Sequence, residues 1–244
     1  MKKKLKYTWL INLNKTRKPP SMTDTNILKQ LKLNEFRDEH EKRKCLNQII
    51  EIAKEECLSL CRAGMCDFIC DLVRSEKSVD CMTSLCVLIG YLGLKDKYRP
   101  VLFANDVANI IIHSLDSVEH IKDKLDIINA IRSLCQTKND AGEFIKAGLI
   151  PHLCGILKCV ETNKDKQFVS NCIFWVSYLA SDKTTALQHG CIELMYKAAE
   201  SISNKPIQSN IFCDINYYDI NPTKYPIYEL WKTNFQRYCD ETVH

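Results

Sequence analysis

From Ile27 onward the apolar residues of this chain recur three and four positions apart. No segment sustains two-residue alternation, so the pattern predicts helices and requires no strands. On the first charged segment Leu46, Ile49, Ile50 and Ala53 form one apolar stripe, with Glu39, Glu41, Lys42, Arg43 and Lys44 on the other face. A larger period then appears. Gly64, Asp106, Gly148 and Gly190 are spaced by 42 residues three times over, and each opens a similar apolar block. A fixed period of this size is the signature of stacked structural repeats. Such a unit cannot bury its apolar face alone, so the chain is expected to be one continuous solenoid with a long open surface.

Each unit reads as three helices. Short ones are predicted at 55–63, 98–105, 141–147 and 183–189. Second helices follow the turns at 65–75, 107–116, 149–160 and 191–202, and longer third helices follow at 78–94, 119–137 and 165–181. Gly64, Gly148 and Gly190 suit a turn of positive φ, and Asp106 is a tolerated substitute there. Pro151 falls in the first turn of its helix, where it costs no hydrogen bond. Residues 204–224 are rich in Asn, Asp and Pro and too long for a normal connection, so they are predicted to be an insertion loop. An amphipathic helix at 225–239, carrying Ile227, Leu230, Trp231, Phe235 and Tyr238, is expected to take the place of the fourth unit's third helix. The expected organisation is thus a basic flexible tail at 1–24, lead-in helices at 25–54, repeats at 55–203, an insertion loop at 204–224 and a capping helix at 225–244.

Charge divides the same way. Residues 1–20 hold seven basic side chains and no acid, leaving 27 basic and 30 acidic side chains in the remaining 224 residues. A basic tail on a mildly acidic array gives little support to nucleic-acid binding by the whole chain. No apolar run reaches the roughly 18–20 residues of a membrane span. The amino-terminal apolar stretch is short, is broken by Asn12 and leads to no small-residue cleavage site, so no secretory signal is expected. Fourteen cysteines without such a signal imply free thiols in a reducing compartment, the cytoplasm in the simplest case and otherwise the nucleus. The clusters at Lys2–Lys4 and at Lys15, Arg17 and Lys18 read either as a bipartite nuclear localisation signal or as a solvated terminus.

Cys57, Cys61, Cys66 and Cys70 form the one metal-like constellation. Their two i, i+4 pairs straddle Gly64, a spacing that suits Cys as a small apolar residue on two helices better than a zinc knuckle. Cys81, Cys86, Cys135, Cys154, Cys172 and Cys191 get the same reading. The six histidines are scattered, and no nucleophile elbow, P-loop, dinucleotide fingerprint or zinc-protease motif occurs. No catalytic residue, metal site or cofactor is expected, and the chain reads as a protein that is not an enzyme.

Two segments carry a family resemblance. The run Ala147-Gly-Leu-Ile-Pro-His-Leu-Cys-Gly-Ile-Leu resembles the armadillo signature, in which a small residue and glycine lead into Ile-Pro-x-Leu and a pair of leucines. The run Val169-Ser-Asn-Cys-Ile-Phe-Trp-Val-Ser-Tyr-Leu-Ala-Ser resembles an armadillo third helix with its closing Leu-Ala-Ser-like turn. The likeness spans about residues 38–203, with HEAT repeats as second choice. It implies an all-α, right-handed superhelical solenoid of about four three-helix repeats whose third helices line the concave face. Aromatic and amide residues there would bind an extended partner segment, which makes Tyr91, Asn129, Ser133, Asn171, Phe174 and Tyr178 the candidate groove residues. The implied function is a non-catalytic scaffold for a partner protein, with no small-molecule substrate.

The importin-α subset is a weaker likeness. The helix beginning at Ile227 is similar to its tyrosine-bearing closing helix, and the basic tail could stand in for its autoinhibitory segment. Importin-α, however, repeats Trp-x-x-x-Asn on its third helices, where this chain offers Val87/Tyr91, Asn129/Ser133 and Phe174/Tyr178. Binding of basic signal peptides is therefore not implied residue by residue. A divergent transport adaptor and a structural subunit of a larger assembly remain the alternatives.

Overall fold

The computed structural model describes Phe36, residues 38–61 and residues 65–242. The tail at 1–24, the start of the lead-in region and the turn at Gly64 lie outside them. Among the described residues there are thirteen α-helices, one 3-10 turn and no strand. In chain order these are α1 (Glu39–Cys61), α2 (Met65–Ser75), α3 (Val79–Gly93), α4 (Arg99–Ala104), α5 (Val107–Ser117), α6 (Ile121–Leu134) and α7 (Lys138–Lys146). They continue with α8 (Leu149–Cys159), α9 (Asn163–Ala180), α10 (Lys183–Gln188), α11 (Cys191–Glu200), α12 (Lys205–Asn216) and, after the 3-10 turn Pro222–Lys224, α13 (Pro226–Thr242).

The predicted period is built as expected. Asp106, Gly148 and Gly190 cap the second helices with φ of 60°, 89° and 66°. A left-handed residue there lets the short helix end and the second helix leave at an angle, and glycine adopts it without a Cβ clash. The long helices α1, α3, α6, α9 and α12 pack in sequence, each against the next. Their apolar faces form the core, with Leu46, Ile49, Leu85, Leu88, Ile127, Ile131, Val169, Ile173, Ile211 and Ile215 all 2% exposed or less. The tightest seam is between α3 and α6. A Cβ placed on Gly90 would lie 2.7 Å from Ala130 Cα, so this joint has the backbone-to-backbone closeness that only glycine opposite alanine permits.

Capping decides where the long helices begin. Thr162 accepts a hydrogen bond from the Asp165 amide at 3.1 Å and so starts α9. Thr162→Ala should cost about 1 kcal/mol, read as a lower urea midpoint at unchanged slope. At the other end of α9, Ser181 takes φ of 57° and its amide bonds Ser177 and Tyr178 carbonyls, which is the closing turn the sequence suggested.

Two parts of the expected organisation are corrected. The stretch 204–224 is not an insertion loop: Lys205–Asn216 is a helix, started by the Asn204 side chain and by a proline in its first turn. It packs against α9 and α11 and is the fourth unit's third helix. The last helix, α13, therefore does not take that place. It covers the end of the array, burying Tyr228 completely with Trp231 beside it, while Leu230 and Phe235 are 63% and 45% exposed. The lead-in region and the first short helix are also not separate, because α1 runs unbroken through both as a single 23-residue helix. Its amino-terminal part packs on α3 as a third helix would, so the array opens on a partial unit.

Candidate functional site

Two of the groove candidates stand one helical turn apart on α9, and the structure brings them together. Phe174 and Tyr178 have ring centroids 5.7 Å apart. Trp175, three residues before Tyr178, stacks on it at 6.4 Å, with its indole N–H donated to the Cys135 carbonyl at 3.3 Å. A fourth ring comes from the next unit: Tyr217, at the carboxy-terminal end of α12, meets Phe174 edge-on at 5.4 Å and Tyr178 at 5.6 Å. Its hydroxyl donates to the Ser177 carbonyl at 3.4 Å, and the Tyr218 hydroxyl donates to the Ile173 carbonyl at 3.5 Å. The last turns of two successive third helices are thus tied together beneath an aromatic surface. Lys183 lies 4.6 Å from the centre of the Tyr217 ring and pairs with Asp219, holding that carboxyl below its usual range.

Tyr178 is 52% exposed. Aromatic rings offer large contact area with little rotamer freedom to lose, so a packed cluster that exposes one ring is suited to anchor an apolar or cationic side chain.

The remaining candidates are placed differently. Asn171 is half-buried and its amide bonds Asp214 of α12, which removes it from the open surface. Ser133 donates its hydroxyl to the Asn129 carbonyl at 3.1 Å, within its own helix, while the Asn129 side chain is exposed. Tyr91 is half-buried against the core of α3. Tyr91 sits on α3 and Asn129 and Ser133 on α6, the preceding third helices, whereas Asn171 lies on α9 itself.

Tyr217 joins this ring cluster although the sequence offers no candidate there, because the polar composition of 204–224 predicts a loop. The signal was present: Asn204 before a proline, followed by Ile207, Ile211 and Ile215 at four-residue spacing, is a helix start with an apolar stripe.

Beneath the cluster lies a buried acid. Asp214 is 8% exposed, and burial lifts its carboxyl from the ordinary value of 3.8 to about 7, against a smaller opposing effect of the Asn171 hydrogen bond. Most of the described cysteines are core residues, with Cys159 and Cys213 exposed. Cys66, Cys70, Cys81, Cys86, Cys135, Cys154, Cys172 and Cys191 are all buried, and burial pushes the Cys70 thiol up to about 12. The side chains of Cys57 and Cys61 lie outside the described residues. Among the described residues no group of three or more His, Cys, Asp or Glu side chains is placed to hold a metal ion. No described helix is long and apolar enough to cross a membrane.

No protein-family model and no curated protein matches the chain. Solved structures do. A designed armadillo repeat protein, YIII(Dq)4CqI, superposes with a TM-score of 0.64 at 15% identity, over 78% of this chain and 79% of that one. A second, the designed armadillo repeat protein YIII(Dq.V1)4CPAF in complex with peptide (KR)4, gives 0.64 at 16% identity, over 79% and 80%. An engineered protein of a structural genomics consortium gives 0.65 at 12% identity over 78% and 79%. With the 42-residue period and the stacked third helices, these likenesses show that the chain has the armadillo repeat fold.

Proposed function

We propose that this protein is a non-catalytic scaffold that holds an extended segment of a partner protein along the face lined by its third helices, anchored at Phe174, Tyr178 and Tyr217. The observation that carries this reading is the packed ring cluster at one joint of the array, with half of Tyr178 open to solvent. The fold supports it, since a solenoid of stacked units presents an extended surface. A designed protein of the same fold is described as a complex with the peptide (KR)4, which is consistent with peptide capture on such a surface. The cytoplasm, or the nucleus, is the proposed location. The divergent transport adaptor is the less favoured reading, because Tyr91, Ser133 and Tyr178 supply neither the indole walls nor the amide clamp of repeated Trp-x-x-x-Asn pairs.

The test is an affinity pull-down with the full chain beside a Phe174→Ala/Tyr178→Ala chain, partners being identified by mass spectrometry. Partners retained by the wild type and lost from the variant support the scaffold reading. Importin-β together with basic cargo would select the transport adaptor, and a complex of fixed composition indifferent to the variant would select the structural subunit. A labelled (KR)4 peptide should bind weakly, and the binding should fade as salt rises, since exposed charges are screened over about 8 Å at physiological ionic strength. Micromolar or tighter binding, abolished by Tyr178→Ala in a fluorescence titration, would promote the transport reading.

A further inference from the structure

The buried thiols contain one arrangement that core packing does not require. Cys154 lies on α8, the second helix of the third unit, and Cys191 is the first residue of α11, the second helix of the fourth. Their sulfur atoms are 3.0 Å apart across the joint between the units. A disulfide holds its sulfurs about 2.05 Å apart, so small side-chain movements on two helices already in contact would bring them to bonding distance.

The two thiols are not equivalent. Either S–H can donate in the contact they share; with Cys191 as the donor, that bond lowers the Cys154 thiol pKa, and Lys158 on the same helix lowers it further. The same bond, with burial, raises that of Cys191. Cys154 is 5% exposed and Cys191 not at all. Attack by a thiolate is the first step of thiol oxidation, so Cys154 is suited to react first and Cys191 to resolve.

We propose that Cys154 and Cys191 are a redox-formed clamp, joining the third unit to the fourth when the protein meets a hydroperoxide. The Cys154 thiolate attacks one peroxide oxygen, the O–O bond breaks and hydroxide leaves, giving a sulfenic acid. Cys191 then loses its proton and attacks that sulfur, the S–S bond forms and hydroxide leaves as water on taking up a proton. In sum two thiols and one hydrogen peroxide give one disulfide and two waters, with two electrons passing from the sulfurs to the peroxide. A thiol reductant reverses it by exchange. The clamp encloses α9 and α10, and with them Phe174 and Tyr178, but it does not depend on that surface binding a partner.

The test uses the full chain treated with hydrogen peroxide, then blocked, cleaved with trypsin without reduction and mapped by mass spectrometry. Residues 147–158 and 184–197 are tryptic peptides with one cysteine each. A cross-linked pair of these two, absent after reduction, is the expected result. In the Cys191→Ala chain a dimedone adduct should appear on Cys154. The oxidised wild type should melt about 10 °C above the oxidised Cys191→Ala chain, the shift expected for closing a loop of this size. Both peptides recovered unlinked, while the exposed Cys159 is oxidised, would overturn the clamp; because that readout uses the wild type, it stands even if the variant folds poorly. Dimedone on Cys191 in a Cys154→Ala chain, with none on Cys154 in the Cys191→Ala chain, would overturn the assigned order.

Discussion

Asp140→Ala is expected to lower the stability of the array by about 3–5 kcal/mol, the cost of leaving one charge of a buried pair behind. Asp140 opens α7 and joins it to the preceding unit. Its carboxylate accepts from the Thr137 amide at 2.9 Å while its own amide donates to the Thr137 hydroxyl, closing a capping box. The same oxygen meets the Arg99 guanidinium at 3.3 Å, and both side chains are nearly inaccessible, at 8% and 11%. Arg99 donates besides to the Gly93 carbonyl and to Asp96, whose carboxylate is almost fully exposed and compensates little. Removing Asp140 therefore takes away the carboxylate half of the capping box and strands a buried guanidinium. Arg99→Met combined with Asp140→Ala should recover part of the loss, because no unpaired charge remains. Chemical denaturation of the single and double variants checks both statements. A single variant within about 0.5 kcal/mol of wild type, as for ordinary surface positions, would show that the pair is not buried in solution.

Asp214→Asn is expected to do the opposite above neutral pH. The folded chain lifts this carboxyl to about 7, so between about pH 4 and 7 the native state holds a proton that the unfolded chain has released. Stability must then fall as pH rises through that window, by up to about 4 kcal/mol for a shift of this size. The amide cannot ionise and keeps a hydrogen-bonding group toward Asn171. The variant should match the wild type near pH 4 and exceed it by about that amount at pH 8. Glu76, Asp182 and Asp219, whose carboxyls are held below their ordinary range, act with the opposite sign in both proteins. The difference between the two pH profiles is therefore the quantity to measure. A difference that is flat with pH would mean that Asp214 is solvated.

The fold was legible wherever the backbone imposes a rule. Positive φ demands glycine or a short polar residue, so the 42-residue spacing of Asp106, Gly148 and Gly190 exposed the period directly, and the apolar stripes assigned the helices between them. What stayed hidden depends on neighbours. The polar composition of 204–224 concealed α12 because its asparagines lie at the helix start and on solvent-facing turns, while Ile211, Phe212 and Ile215 turn inward. Losing that helix also lost Tyr217, and with it the fact that Phe174 and Tyr178 belong to a surface built by two units. The sequence presents Asn171 as a groove amide because nothing in its own segment shows Asp214 facing it from 43 residues on. Periodicity tells which side of a helix is polar, but not whether another unit will cover it.

The most direct test of the account is a binding measurement on its central surface. Peptides are selected from a random library on the full chain, and the tightest is titrated by fluorescence anisotropy against Tyr178→Ala, Tyr217→Ala and, on the exposed face of the short helix α7, Glu143→Ala/Lys146→Ala. Loss of an aromatic anchor at the centre of an interface should weaken binding at least about tenfold, or about 1.4 kcal/mol, for each tyrosine, and the α7 variant should bind within about twofold of wild type. Affinity unchanged in both tyrosine variants and lost in the α7 variant would contradict the assignment of the third-helix face as the site of partner capture.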